Sequence, residues 1–121
     1  MQHQAAHAYA QTAKITVSPR NLEADLLVKS ANRLQAVKDG WPESQSDLRG
    51  ALTYNRRLWT IFATSATAED NPLPNAIKQS IGNLGLFIFK QTMTLESEPQ
   101  PEKLTSLISI NREIAAGLRA Q

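Results

Sequence analysis

Few residues in this chain have the types and spacing that chemistry requires. His3 and His7 stand four apart, the spacing of a metal pair on one helix face. No acidic residue or cysteine lies near them to complete a ligand set, so no metal is expected. Gly82 and Gly85 fall inside a helical pattern and lack the strand-turn-helix context of a phosphate-binding loop. Nucleophile-base arrangements need His or Cys; the chain has no cysteine, and both histidines lie in its first residues. The expectation is a protein that is not an enzyme and carries no cofactor. Polar, basic and aromatic side chains gather instead in Tyr54-Asn55-Arg56-Arg57-Leu58-Trp59-Thr60. Such a group can bind a protein partner, or it can bind RNA through Arg49, Arg56 and Arg57 with Tyr54 as the one stacking residue. The longest basic run is only Arg56-Arg57, which weakens the nucleic-acid reading.

The elements that must position this stretch follow from composition and periodicity. With 121 residues, 41% hydrophobic and 20% charged, the chain has the size and balance of one globular domain. Its net charge is +2 and is not concentrated in a block. The missing cysteines exclude disulfides and fit a reducing compartment. The most apolar run, residues 84–89, is too short to span a bilayer, and the first residues do not read as a signal peptide, so a cytoplasmic location is expected.

Six prolines punctuate four stretches of helical period, and no stretch alternates as a strand would. The fold expected is all-α: a small antiparallel bundle of about four helices in a single domain over residues 18–121, preceded by a mobile arm, residues 1–17. The first helix should open with Ser18 as N-cap and Pro19 at its first position, and stop at Gly40. Its core stripe reads Leu22, Leu26, Leu27, Leu34 and Val37, with Ser30 and Ala31 marking a close neighbour. In the second helix Ser44 and Asp47 fit a capping box, and Leu48, Leu52, Asn55, Trp59 and Phe62 form one buried stripe. Asn55 is polar on that face, so it should bond a helix end or loop backbone, or sit at the rim. Trp59 reads as core; Tyr54, Arg56 and Arg57 lie off the stripe and read as exposed contacts.

The third helix resolves into two apolar stripes. Ile77, Ile81, Leu84, Ile88 and Leu95 face the core; Gly82, Leu86, Phe89 and Met93 lie around the cylinder as either packing or a partner surface. Gly82 and Gly85 suggest that another backbone comes close. The fourth helix carries a narrow seam, Leu104, Leu107, Ile108, Asn111, Ile114, Ala115 and Leu118, in which Asn111 can fix register.

Several segments in order resemble the flagellar biosynthesis regulator FlaF: Ser18-Pro19-Arg20-Asn21-Leu22-Glu23-Ala24, Ala51-Leu52-Thr53-Tyr54-Asn55-Arg56-Arg57-Leu58-Trp59-Thr60, Asn71-Pro72-Leu73-Pro74, Asn83-Leu84-Gly85 and the run from Ile108 to Leu118. The arm departs from the family pattern apart from Tyr9-Ala10. The resemblance implies a small cytoplasmic helical protein needed for flagellin production and filament assembly. It further implies control after transcription, opposed to a second regulator, FlbT, with flagellin bound directly as by a secretion chaperone. Flagellin is thus the expected partner and FlbT a second one. The alternatives are an RNA-binding regulator of flagellin mRNA and an adaptor to another flagellar regulator. Gly82, Leu86, Phe89, Met93, Tyr54, Arg56 and Arg57 are the candidate partner contacts.

Overall fold

The computed structural model describes residues 19–120. The arm, its two histidines and the Ser18 cap lie outside the described residues. Among those described there are four α-helices and no strand: α1 (Pro19–Asp39), α2 (Leu48–Ala66), α3 (Asn75–Ser97) and α4 (Leu104–Arg119). Short connections join successive helices into an antiparallel bundle, as the helical periodicity predicts. No helix of the described residues is long and apolar enough to cross a membrane.

The most extensive pairing is between α1 and α4. It is made possible by small side chains: Ala24, Ser30 and Ala31 on α1 and Ala115 on α4 are all fully buried. This close approach turns α1 relative to the stripe read from its leucines. Leu27, Leu34 and Val37 are buried, Leu26 is half-buried, and Leu22 is exposed. The centre of the buried face has moved onto the small residues, because only they admit α4.

The start of α2 also differs from expectation. A 3-10 turn, Glu43–Asp47, precedes it, and Asp47 at the N-cap makes no side-chain capping bond. Ser44 is used otherwise: its hydroxyl donates back to the Val37 carbonyl at the end of α1. The serine therefore fastens the α1-α2 corner instead of closing a capping box. Beyond α2, Asn71 holds the next loop. Its Oδ1 accepts from the Leu73 amide at 3.0 Å while its Nδ2 donates to the Ser65 carbonyl at 3.1 Å. Pro74 then occupies the N-cap of α3.

α3 rests mainly on α2. Ile81, Ile88 and Leu95 are fully buried; Ile77 and Leu84 pack half-buried against the same cluster. A Cβ built on Gly85 would lie 3.8 Å from the Ala63 Cβ and 3.9 Å from a Trp59 ring carbon, while one on Gly82 would meet only Thr67, at 4.0 Å. Side chains of α2, at ordinary contact distance, therefore face Gly85, and no backbone crowds either glycine. The seam of α4 is consumed within the chain, with all its members buried save the half-buried Ile114.

Candidate functional site: a buried amide network and two open faces

The stretch Tyr54 to Thr60 divides by helical face. Turned inward, Asn55 and Trp59 are fully buried, with Leu48, Leu52 and Phe62 on the same stripe. Trp59 meets Phe62 edge-on, ring centroids 5.2 Å apart at 87°. At the centre of the bundle four polar side chains form one network. The Ser30 hydroxyl donates to Asn55 Oδ1 at 2.8 Å, and Asn111 Nδ2 donates to the same oxygen at 2.7 Å. Asn111 Nδ2 also donates to the Leu27 carbonyl at 3.2 Å, and Trp59 Nε1 donates to Asn111 Oδ1 at 2.8 Å. Asn55 Nδ2 is the one buried side-chain polar atom among the described residues without a partner.

This corrects the expectation for Asn55. It bonds neither a helix end nor a loop and does not sit at the rim; its partners are side chains of α1 and α4. Asn111 is the hub, since it takes part in three of the four bonds, one to α1 and two to α2, whereas Asn55 takes part in two. Sliding or rotating any of the three helices breaks at least one of these bonds, and a buried unpaired group costs about 1 to 3 kcal/mol. The network thus fixes register, the role the seam assigned to Asn111.

Turned outward, Tyr54 is half-buried and Arg56 and Arg57 are exposed. Tyr54 lies beneath two cations of α1, with Arg33 Cζ 5.6 Å and Lys29 Nζ 5.9 Å from the ring centroid. Gly50 makes room for this arrangement: a Cβ there would come within 2.8 Å of Arg33 Nη2. Around the ring a cleft of about 640 Å³ opens between α1 and α2, lined among others by Leu26, Arg33, Arg49, Tyr54, Arg57 and Ile61. Arg49 and Arg57 share this cleft; Arg56 does not line it. The cations of α1 are the part missed when α2 is read alone, because Lys29 and Arg33 look like ordinary solvated charges on their own helix.

A second open face belongs to α3. Leu86 and Met93 are each 64% exposed, Phe87 is exposed on the other flank, and Phe89 and Gly82 are half-buried. The partner stripe read from sequence is therefore uneven, with Leu86 and Met93 reaching solvent and Phe89 turned partly inward.

A third hollow, about 680 Å³, lies where the start of α1 meets the α2-α3 loop and the end of α4, bordered by Arg20, Glu23, Asp70 and Arg119. Burial raises the Glu23 carboxyl above its ordinary value of 4.5, a shift opposed by the nearby Arg20 charge. Arg119 Nη2 pairs with Asp25 Oδ1 at 2.6 Å, joining the end of α4 to the start of α1. No cluster of potential metal ligands occurs among the described residues.

Fold and surfaces together define a small helical bundle with a polar centre and apolar side chains left open on its exterior. A family model, flagellar protein FlaF, matches residues 5–118, and the chain belongs to that family. The matched span takes in residues 5–17 of the arm. No curated protein and no solved structure matches this chain.

Proposed function

We propose that this flagellar protein is a non-enzymatic regulator of flagellin synthesis that acts by binding flagellin in the cytoplasm, in the manner of a secretion chaperone. The observation carrying the reading is the exposure of Leu86 and Met93 on α3, a helix whose opposite face packs into the core through the fully buried Ile81, Ile88 and Leu95. Burying a side chain of this kind contributes about 1.5 to 3 kcal/mol, so the exposed pair represents stability left for a partner to recover. An amphipathic flagellin helix, which would otherwise pair with other flagellin subunits, has the complementary apolar face. Regulation after transcription follows if the bound and unbound populations of this protein report how much flagellin awaits export.

Calorimetric titration of the chain with monomeric flagellin tests the proposal. Saturable, stoichiometric heat is the expected result. Absence of binding, with the protein shown to be folded, overturns it.

A further inference from the structure

We propose that the cleft between α1 and α2 is a second docking site, which takes an amphipathic helix whose apolar ridge is flanked by Asp and Glu. Apolar side chains provide its floor: Leu26 and Leu58 are half-buried, and Ile61 is 70% exposed. Cations supply its walls, Arg33 from α1 and Arg49 and Arg57 from α2, with Lys29 above Tyr54. Among the described residues no acidic side chain lines the cleft. From Gly50 to Ile61 the α2 wall extends over twelve residues, eleven steps of about 1.5 Å rise, which is about 16 Å, or three turns of a docked helix.

Charge and shape together select the occupant. An apolar floor between basic walls complements a helix with an apolar ridge and acidic flanks, the helix-in-groove mode of recognition. A single-stranded nucleic acid would need an open aromatic face for its bases, and the Tyr54 ring already carries Arg33 and Lys29. Arg33 lies across α2 at Gly50, where a Cβ would meet its Nη2 at 2.8 Å, and borders the cleft there. None of Leu86, Phe89 and Met93 contributes to this site, and α3 packs against α2 through Gly85, Trp59 and Ala63. The cleft therefore stands independently of flagellin binding on α3.

The test is fluorescence anisotropy with labelled peptides of identical composition. One places Leu at helical spacing between Glu flanks and the other is its scrambled version; a third peptide replaces the Glu flanks by Lys. The first peptide is expected to bind saturably. Its affinity should fall at least about tenfold in Ile61→Asp and in Arg33→Glu/Arg57→Glu, both with unchanged circular dichroism, and hold in Arg112→Glu, a reversal on the exposed side of α4. Lack of saturable binding overturns the site, as does equal binding of the scrambled or Lys-flanked peptide, or full affinity in both cleft variants. Displacement of the peptide by oligouridylate or by phosphatidylglycerol vesicles at lower concentration than by unlabelled peptide reassigns the cleft to nucleic acid or to lipid and rejects a helical partner.

Discussion

Trp59 and Asn111, 52 positions apart in the chain, meet at the centre of the bundle through a 2.8 Å hydrogen bond from the indole Nε1 to the amide Oδ1. The bond ties α2 to α4, and the other end of the Asn111 amide ties both to α1. An apolar core alone would let similar helices slide past one another. The amide network permits one register, and through it fixes which side chains α1 and α2 present to the outer cleft.

The network is asymmetric, which makes its members unequal. Asn111→Leu strands the Trp59 N–H in the core and is expected to cost about 2 to 4 kcal/mol, combining an orphaned donor with altered packing. Asn55→Leu also removes the unpartnered Nδ2; Ser30 can turn to a carbonyl of its own helix, and Asn111 keeps Leu27, so about 1 to 2 kcal/mol is expected. Urea unfolding of both variants ranks them, and a larger loss at Asn55 than at Asn111 would contradict the hub assignment.

Gly85 is buried yet has space for one methyl group. Gly85→Ala is therefore expected to stabilise the protein by about 0.5 to 1 kcal/mol through helix propensity. Gly85→Leu must displace Trp59 or Ala63 and should destabilise by about 1 to 3 kcal/mol. Thermal melts of the two variants moving in the same direction would show that the α2-α3 spacing is misjudged.

Glu23 supplies a pH dependence whose sign is fixed by the direction of its shift. Its folded carboxyl titrates above the ordinary 4.5, so the folded state holds the proton more tightly than the unfolded chain. The stability this contributes is fully present below 4.5 and is lost as pH rises through the raised folded value. Glu23→Gln should accordingly flatten this part of the profile and be the more stable protein at about pH 7. Parallel unfolding titrations at about pH 4 and about pH 7 check it; an unchanged difference between the two pH values removes Glu23 as the cause.

The Arg119-Asp25 pair closes the α1-α4 interface but is solvated, with side chains 45% and 62% exposed. Arg119→Ala is expected to cost less than about 1 kcal/mol, with the loss shrinking as salt is added. A loss comparable to that of Asn111→Leu, measured by the same unfolding assay, would mean that the chain ends and not the central amides hold α1 against α4.

Much of this was legible in the residues themselves. Helical period and proline spacing define four helices, and the stripe through Leu48, Asn55, Trp59 and Phe62 is buried as its spacing requires. The amides were visible as polar positions on apolar faces, but their partners were not, because Asn55 and Asn111 are brought together only when three helices settle at particular rotations. The same holds for Leu22, whose exposure depends on how closely Ala24, Ser30 and Ala31 admit α4. The α1-α2 cleft was half legible: Tyr54 and Arg57 stand out on α2, whereas Arg33 joins them only across the helix pair, over a glycine whose meaning is the space it leaves.

The central functional claim is that the exposed stripe of α3 receives flagellin, and calorimetry on the double variant Leu86→Asp/Met93→Asp tests it most directly. Both residues are exposed, so the variant should keep the circular dichroism and melting of the parent protein. The account predicts that flagellin affinity falls at least about tenfold, a loss of about 1.4 kcal/mol or more. Unchanged affinity in the folded double variant would contradict it.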